Sequence, residues 1–399
     1  MTAGYDVERI RSLYPALAGD TVWLDGAAGT QSPTSVIEAI AATYRVGTSN
    51  GGGVFASSIR ADEIAESARA AAADLVGASD PTGVVLGPNM TTLTYRFAQA
   101  LARQWEPGDN VVVTELDHDA NVRPWVQWAE VAGVEVRWAR VEPESGELPA
   151  DQFATLVDAH TKLVAVTGAS NVLGTRPDIR AITDRAHEAG ALAYVDGVHS
   201  TAHGVSDIAE LGSDFYVTSA YKWDGPHVGC LIADPPLLER LTPFKLASSA
   251  NDVPDRFEWG TPSYANFAGV TAAVDHLAAL LPSAQGTRRE RLVASLTAAH
   301  EHETVLLERL LAALESDERV QLYGHPKHRT ATVYFRVDGE TPEQTVTRLA
   351  ASGINAWHGH NYAWEVTRAL GIRDSGSAIR LSLSHYSNAA DVDRLLAAL

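Results

Sequence analysis

The chain has 399 residues, enough for a large buried core and for two domains of ordinary size. Its 45% hydrophobic and 20% charged residues are typical of a folded globular protein. Acidic residues outnumber basic ones by 50 to 31, and the formal net charge of −19 disfavours nucleic acid and anionic membranes as partners, because both attract basic surfaces.

The cysteine count and the lengths of the apolar runs further limit the class of protein. The single cysteine, Cys230, excludes an intrachain disulfide, and no His or Cys spacing predicts a metal site. Cys230 stands in an apolar run, so we expect a buried strand residue rather than a nucleophile. The start of the chain lacks the pattern of a secretion signal, and no apolar run approaches the ~18 residues of a membrane span. We therefore expect a cytoplasmic protein.

The first two thirds of the chain alternate between short apolar segments and helical patterns. A short helix is predicted within residues 1–20, and a small strand at 22–25 precedes a glycine-rich loop. The predicted strands that follow are 84–86, 111–113, 134–138, 163–167, 192–195, 215–218 and 228–232. A helix at 61–76 is predicted before the first of these strands, and helices at 91–104, 121–132 and 178–189 are predicted between later ones. This alternation is typical of an α/β fold, in which a mostly parallel seven-stranded sheet lies between helices and binds ligands at the carboxyl ends of its strands.

The last third of the chain predicts a smaller α+β domain. A helical stretch at about 264–316 is interrupted near 282–286. After it come predicted strands at 332–335, 354–357 and 378–382, with helices at 343–351 and 388–398. We predict three parts: an N-terminal segment, 1–30, that joins the small domain; a large domain, 31–275; and the small C-terminal domain, 276–399.

Polar residues follow several of the predicted strands. The loop 87–91 precedes a predicted helix, and the free backbone N–H groups and the dipole at a helix start suit a phosphate. An ordinary helix cap without a ligand would have the same sequence pattern. His118 follows another strand and could lie flat against a planar ring, or simply belong to a solvated loop. Asp196 directly follows an apolar run, where an acid needs a cationic partner such as a pyridinium N–H.

Lys222 is the residue that connects these features. It stands in DFYVTSAYKWDGPHVG, between an apolar strand and a turn, which is an unusual place for a solubilising lysine; a surface loop is the alternative. Asn171 supplies another hydrogen-bonding group after a strand. A helix start for a phosphate, Asp196 for a ring nitrogen and Lys222 for a Schiff base are the groups that pyridoxal 5'-phosphate (PLP) requires.

Together these motifs resemble fold-type I PLP enzymes of the class V aminotransferase family, in its cysteine desulfurase-like branch. The resemblance runs from about Leu24 to the C-terminus. The motifs that carry it are ELDHDANVRPW with His118, SNVLGT with Asn171, YVDGVHS with Asp196 and His199, and TSAYKWDGPHVG with Lys222. The cofactor-binding set that the resemblance implies is Asn89, Met90, His118, Asn171, Asp196, His199, Ser219, Tyr221, Lys222 and Thr261.

The resemblance also implies a homodimer and a small amino-acid substrate. The segment FEWGTPSYAN looks like the one whose threonine, Thr261 here, reaches the phosphate of the cofactor in the partner subunit. AIRLSLSHYSN places Arg380 where the family binds the substrate carboxylate, which a planar guanidinium can hold through two hydrogen bonds. The expected substrate-binding residues are Ala28, Asn50, His358, His360 and Arg380.

One loop departs from the family pattern. Desulfurases carry a catalytic cysteine before the last strand, but residues 356–363 here read AWHGHNYA, with Tyr362 near the cysteine position. This difference argues against a persulfide-forming cysteine desulfurase. We predict a C–S β-lyase that acts by β-elimination on an S-substituted L-cysteine or a similar β-substituted amino acid, and we predict a role in secondary metabolism. The predicted catalytic residues are Lys222, His118, Asp196, His360 and Tyr362.

Other outcomes remain open from the sequence. A PLP enzyme with these residues could instead decarboxylate and oxidatively deaminate such a conjugate, or act as an aminotransferase or an epimerase. A binding or regulatory protein without turnover is a further alternative, against which the presence of Lys222, Asp196 and Arg380 argues. The sequence also leaves open whether His118 acts as an acid or base or only stacks.

Overall fold

The computed structural model describes residues 4–399, and its elements follow the predicted alternation closely. The strands are β1 Val22–Trp23, β2 Val84–Gly87, β3 Asn110–Thr114, β4 Glu135–Ala139, β5 Thr161–Thr167, β6 Leu192–Asp196, β7 Phe215–Ser219, β8 Gly229–Ala233, β9 Val320–Leu322, β10 Thr332–Val337, β11 Ile354–Asn355, β12 Trp357–Gly359 and β13 Ala378–Ser382. The helices are α1 Val7–Arg11, α2 Thr34–Val46, α3 Ala56–Val76, α4 Met90–Ala102, α5 Arg123–Ala132, α6 Phe153–Leu156, α7 Ile179–Glu188, α8 Ile208–Leu211, α9 Pro235–Glu239, α10 Tyr264–Ala278, α11 Arg288–Ser316, α12 Pro342–Ala351, α13 Trp364–Ala369 and α14 Ala389–Ala398.

The central sheet has seven strands in the order β2-β8-β7-β6-β5-β3-β4. Only β8 runs antiparallel to its neighbours, β2 and β7, so the predicted α/β fold with a mostly parallel sheet is confirmed. Successive residues of a strand point to opposite faces: Tyr194 and Val195 therefore belong to two different apolar cores. Both residues are fully buried, because helices cover the two faces of the sheet.

The C-terminal region forms a second, antiparallel sheet in the order β12-β13-β10-β9. It packs a third apolar core, which Val22 and Leu24 of the N-terminal segment join. The strand predicted at 354–357 proves to be two strands with different partners, since β11 pairs with β1 while β12 pairs with β13. β9 and α13 were not predicted.

The long helical stretch is interrupted where Pro282 and Gly286 predicted a break. α10 ends at Ala278, and α11 begins after Thr287, whose side chain forms a capping box with Glu290. The domain boundaries after residues 30 and 275 stay a prediction, and the first three residues of the predicted N-terminal segment lie outside the described part of the chain. Within residues 4–399, no helix is both long and apolar enough to cross a membrane.

Candidate active site

Lys222 lies at the carboxyl end of β7, in a 3-10 turn over Ala220–Lys222. Its side chain is buried, and Nζ donates a hydrogen bond to the carbonyl oxygen of Ala27 at 2.6 Å. Burial lowers the pKa of Lys222 to about 7, with a further contribution from the positive charge of Arg380, while Asp196 opposes the shift. A large fraction of this amine is therefore neutral near pH 7, as a nucleophile or a base must be.

Asp196 is the last residue of β6, which lies beside β7 in the sheet. Its Oδ1 accepts a hydrogen bond from the Val198 N–H at 2.9 Å. Burial raises the pKa of Asp196 to about 6, although that hydrogen bond and the charge of Lys222 act in the other direction. A buried acid of this kind is best stabilised as a carboxylate by a cationic N–H group.

His118 precedes the short 3-10 turn Asp119–Asn121 and lines the same cavity. Its Nδ1 accepts a hydrogen bond from the Ala120 N–H at 3.1 Å, so the proton of the neutral ring lies on Nε2. Burial lowers the pKa of His118 to about 3, with help from the nearby charges of Lys222 and Arg380. His118 therefore enters the chemistry as a neutral imidazole with one N–H donor.

Two buried polar atoms beside the cavity have no hydrogen-bond partner among residues 4–399. They are Oδ1 of Asn171 and Nδ1 of His199. The other polar atoms of these side chains are held by the protein: Asn171 Nδ2 donates to the carbonyl oxygen of Asn361 at 2.8 Å, and His199 Nε2 lies 3.0 Å from Thr332 Oγ1. Unpartnered buried atoms are costly unless a ligand pairs with them.

The start of α4 forms another wall of the cavity, through Met90 and Thr91. Asn89 caps this helix, its Oδ1 accepting a hydrogen bond from the Thr92 N–H at 2.9 Å, so its side chain supports the helix. Ser219 Oγ accepts from the Met90 N–H at 2.9 Å and ties the helix to the end of β7. A side chain at Gly229 would lie 2.4 Å from the Asn89 carbonyl carbon, so only glycine lets β8 pass this loop.

Arg380 lies on β13, buried at the junction of the two sheets. Its Nη1 donates to the carbonyl oxygen of Asn171 at 3.3 Å, while Nε has no partner in the described chain. Burial lowers the pKa of Arg380 to about 10, which leaves it a cation at neutral pH. A guanidinium that retains free N–H groups can bind a substrate carboxylate.

The loop between β12 and α13 approaches the cavity from the small sheet. Asn361 and Tyr362 have left-handed backbone conformations, with φ of +48° and +59°. The Tyr362 ring centroid lies 5.4 Å from that of His118, and the carbonyl oxygen of Tyr362 accepts from the Asp119 N–H at 2.8 Å. His360 Nδ1 accepts from the Tyr362 N–H at 3.0 Å.

The structure thus brings most of the predicted residues to one place. Those that line the cavity are Met90, His118, Asn171, Asp196, His199, Tyr221 and Lys222. Ala28 is half-buried next to Ala27, the residue that Lys222 contacts. Thr261, Asn50 and His358 are exposed and lie outside the cavity of the single chain. Thr167, the last residue of β5, lines the cavity but was not predicted, although its place at a strand end was a usable signal.

These residues fit PLP. Asp196 is a buried acid without an ion pair among residues 4–399, and Asn171 and His199, which line the same cavity, each retain an unpaired polar atom. The start of α4 suits a phosphate, and Lys222 offers a buried amine of lowered pKa. Lys222, Asp196, His118 and the start of α4 would hold the cofactor, which would supply an electron sink for bonds at Cα of an amino acid.

Comparisons with known proteins agree with this assignment. The family model of the class-V aminotransferases matches residues 22–395. An uncharacterised protein of Mycobacterium tuberculosis, MT3887, is 37% identical over 99% of this chain and 98% of its own length. A cysteine desulfurase of Pectobacterium atrosepticum is 32% identical over 99% and 97%. The crystal structure of the Escherichia coli cysteine desulfurase CsdA superposes with a TM-score of 0.87 at 26% identity, covering 99% of this chain and 97% of the other. The chain therefore belongs to the class-V aminotransferase family and is a PLP-dependent enzyme.

Proposed function

We propose that the protein is a PLP-dependent C–S β-lyase acting on an S-substituted L-cysteine or a similar β-substituted amino acid. The reaction breaks the Cβ–S bond: R–S–CH2–CH(NH3+)–COO− and water give the thiol RSH, pyruvate and ammonium. The observation that carries the proposal is the loop 357–362, which presents Tyr362 and His360, and no cysteine, beside His118.

The one cysteine of the chain does not suit sulfur transfer. Cys230 is fully buried in β8, and burial raises the pKa of its thiol to about 12. Persulfide formation needs an accessible thiolate next to the substrate. Cys230 does not line the cavity either, so a desulfurase mechanism has no nucleophile in this chain.

In this proposal, Lys222 is the base that removes the proton from Cα of the substrate. PLP, when bound, acidifies that proton by withdrawing electrons from Cα. The Lys222 amine, with its pKa near 7, takes the proton and can later return it. With the cofactor bound, Asp196 would pair its carboxylate with the cationic ring nitrogen, and Arg380 would hold the α-carboxylate of the substrate.

Departure of the sulfur requires a proton donor near Cβ. Tyr362 and His360 are the titratable groups that the loop places next to His118, with ring centroids of 5.4 Å from Tyr362 to His118 and 6.0 Å from His360 to Tyr362. The Tyr362 side chain is largely exposed, so a substrate can reach its hydroxyl group. We assign proton donation to the leaving sulfur to Tyr362, with His360 beside it.

Arg380 also bears on the choice between elimination and decarboxylation. A buried guanidinium stabilises an ionised carboxylate, and loss of CO2 would remove that partner from a buried cation. This contact favours reactions that keep the carboxylate, and β-elimination is one of them.

We also propose that the protein forms a homodimer. Thr261 and Asn50 are exposed in the single chain, and large apolar side chains near Asn50 are exposed too, among them Val54 and Phe55. Apolar surface of this kind is typical of an interface. We propose that a second copy covers it and that Thr261 completes the phosphate site of the partner. Light scattering tests this: a monomer with full activity would contradict it.

The test of the reaction is a product balance. The holoenzyme is incubated with S-methyl- and S-benzyl-L-cysteine, and thiol, pyruvate, ammonium and CO2 are measured together. Equal amounts of the first three, without CO2, are expected. Keto acid without thiol would show transamination, and CO2 would show decarboxylation; either result, as the main product, contradicts the lyase proposal. A role in secondary metabolism stays a prediction.

A further inference from the structure

A second buried polar cluster lies behind Lys222, outside the cavity. We call Tyr14, Asp224, His276 and His385 the Tyr14 cluster. The Tyr14 hydroxyl oxygen lies 2.9 Å from Asp224 Oδ2, 2.7 Å from His276 Nε2 and 2.8 Å from His385 Nε2. All four residues are buried. They come from the N-terminal segment, the turn after Lys222, α10 and the segment after β13, so the cluster joins four distant parts of the chain.

The pKa shifts within the Tyr14 cluster favour an ion pair between Asp224 and His385. Burial alone would raise the pKa of Asp224, but His385, His276 and Tyr14 outweigh it and hold that pKa below its usual value. Burial likewise acts to lower the pKa of His385, and Asp224 more than compensates, so it is raised. Both shifts favour an ion pair between the Asp224 carboxylate and a protonated His385, whose Nε2 lies 3.2 Å from Asp224 Oδ2. The Tyr14 hydroxyl oxygen is within hydrogen-bond distance of the three other side chains and so links four distant segments, as a tether does, while Asp224 Oδ1 has no hydrogen-bond partner among residues 4–399.

Asp224 follows Lys222 by two residues and has a left-handed backbone, with φ of +70°. Glycine adopts this conformation without strain, whereas aspartate adopts it at a cost that its side-chain contacts must offset. Two hydrogen bonds with Thr30 also hold the backbone of this turn. The Asp224 N–H donates to Thr30 Oγ1 at 2.7 Å, and the Thr30 N–H donates to the Tyr221 carbonyl oxygen at 2.9 Å. The turn that carries Lys222 is thus held both by the side chain of Asp224 and by the hydrogen bonds with Thr30.

The same cluster reaches the segment that directly follows β13, the strand of Arg380. His385 follows Arg380 by five residues, and its carbonyl oxygen accepts a hydrogen bond from the Tyr5 hydroxyl at 2.7 Å. Lys222 and Arg380 must contact the same amino acid, one near Cα and the other at the carboxylate. We propose that Asp224 is a positioning residue for Lys222, anchored by Tyr14 and His385, and that this tether sets the place of Lys222 relative to Arg380. The proposal holds for any reaction that uses Lys222.

Two variants and a matched control test the proposal in the holoenzyme. Tyr14→Phe removes only the central hydroxyl. Asp224→Gly keeps a residue that accepts the left-handed backbone but removes the carboxylate. The control, Asp391→Asn, breaks the ion pair of Arg11 with Asp391, 2.7 Å apart, which also joins the N-terminal and C-terminal segments but does not touch the turn of Lys222.

The measurement is the pH midpoint of the visible absorption band of PLP bound to Lys222, followed by titration, with circular dichroism as the check of folding. Displacement of Lys222 changes its burial and its distance from Arg380. We therefore expect the midpoint to move by at least about 0.5 pH units, a threefold change in the protonation equilibrium, in Tyr14→Phe and Asp224→Gly. Asp391→Asn should keep the midpoint of the wild type.

The outcomes separate a positioning role from a merely structural one. An unchanged midpoint in folded, PLP-loaded Asp224→Gly would mean that the backbone turn alone positions Lys222, and the proposal would be wrong. An equal displacement in Asp391→Asn would overturn it too, since any loosened tether would then suffice. If Asp224→Gly does not fold, Tyr14→Phe alone decides. Because no turnover is measured, failure of the lyase proposal leaves this test intact.

Discussion

Two walls of the active site are built in different ways. The wall that carries Lys222 and Asp196 consists of the ends of β6 and β7, deep in the central sheet, where both side chains are buried. The wall that carries Tyr362 is a loop with two left-handed residues, and the Tyr362 side chain is 66% exposed. The side chains of the first wall stand on regular strand ends, whereas those of the second stand on an irregular segment. If the lyase proposal is correct, the central sheet supplies the contacts of the cofactor and the loop supplies the group that selects the reaction.

The loop is nevertheless held in place by the large sheet. The Asn361 carbonyl oxygen accepts from Asn171, and that of Tyr362 accepts from the Asp119 N–H. Directly after the loop, Glu365 of α13 forms ion pairs with Arg123 and Arg368. The loop that carries Tyr362 is therefore anchored at several points to residues around the central sheet.

The largest effect is expected from the first wall, in Lys222→Ala. This change removes the cofactor amine and the base for the Cα proton together, so turnover should fall by at least about 1,000-fold. The visible band of PLP attached to lysine should disappear. Lys245→Ala is the control, because Lys245 Nζ donates a hydrogen bond to the Ser249 carbonyl oxygen and does not line the cavity. A retained band with retained turnover would remove Lys222 from the mechanism.

Asp196→Asn should have the next largest effect. Asparagine keeps the acceptor for the Val198 N–H but loses the charge that faces the cofactor ring nitrogen. Leaving a buried cation unpaired costs about 3–4 kcal/mol, so kcat should fall by about 100- to 1,000-fold while the fold is retained. Steady-state kinetics with circular dichroism checks this. A loss below tenfold would show that Asp196 does not support the charge of the ring.

The sequence predicted the first wall better than the second. Apolar runs mark buried strands, and parallel strands bring their ends to one edge, so Asp196, His118 and Lys222 could be grouped before the structure was known. Left-handed backbone at Tyr362 leaves no such pattern, because neither Asn361 nor Tyr362 is a glycine. The loop was recognised from its missing cysteine and not from its shape.

Contacts between residues far apart in the chain also could not be predicted from the sequence. Tyr14 and His385 are 371 residues apart, and nothing local in either segment indicates that they meet at Asp224. The split of residues 354–357 into β11 and β12 also depends on distant partners, β1 and β13. Thr261 lies outside the cavity of one chain, so its predicted contact with a partner's phosphate is a statement about a dimer and stays a prediction.

A smaller effect is expected in the second wall, from Tyr362→Phe. If Tyr362 protonates the leaving sulfur, its loss matters most for poor leaving groups, because a good one departs without a proton. We expect kcat to fall by about 10- to 100-fold with S-methyl-L-cysteine and by less than about threefold with β-chloro-L-alanine. Parallel assays of the two substrates give the comparison. Equal losses with both would assign Tyr362 to binding, and His360→Asn would then be the next variant to examine.

The smallest effect should come from the anchor of the loop, in Glu365→Gln. Burial acts to raise the pKa of Glu365, but Arg123 and Arg368 outweigh it and hold the pKa below its usual value, so the carboxylate is ionised and paired at neutral pH. Glutamine keeps the shape and loses the charge, which for a partly buried pair costs about 1 kcal/mol. We expect a fall in kcat/KM of about two- to fivefold and a Tm lower by about 1–3 °C. Asp393→Asn, which breaks an exposed ion pair with Arg309, is the control that should change neither value. If the two variants behave alike, the loop does not depend on Glu365, and the hydrogen bonds from Asn171 and Asp119 alone hold the second wall in place.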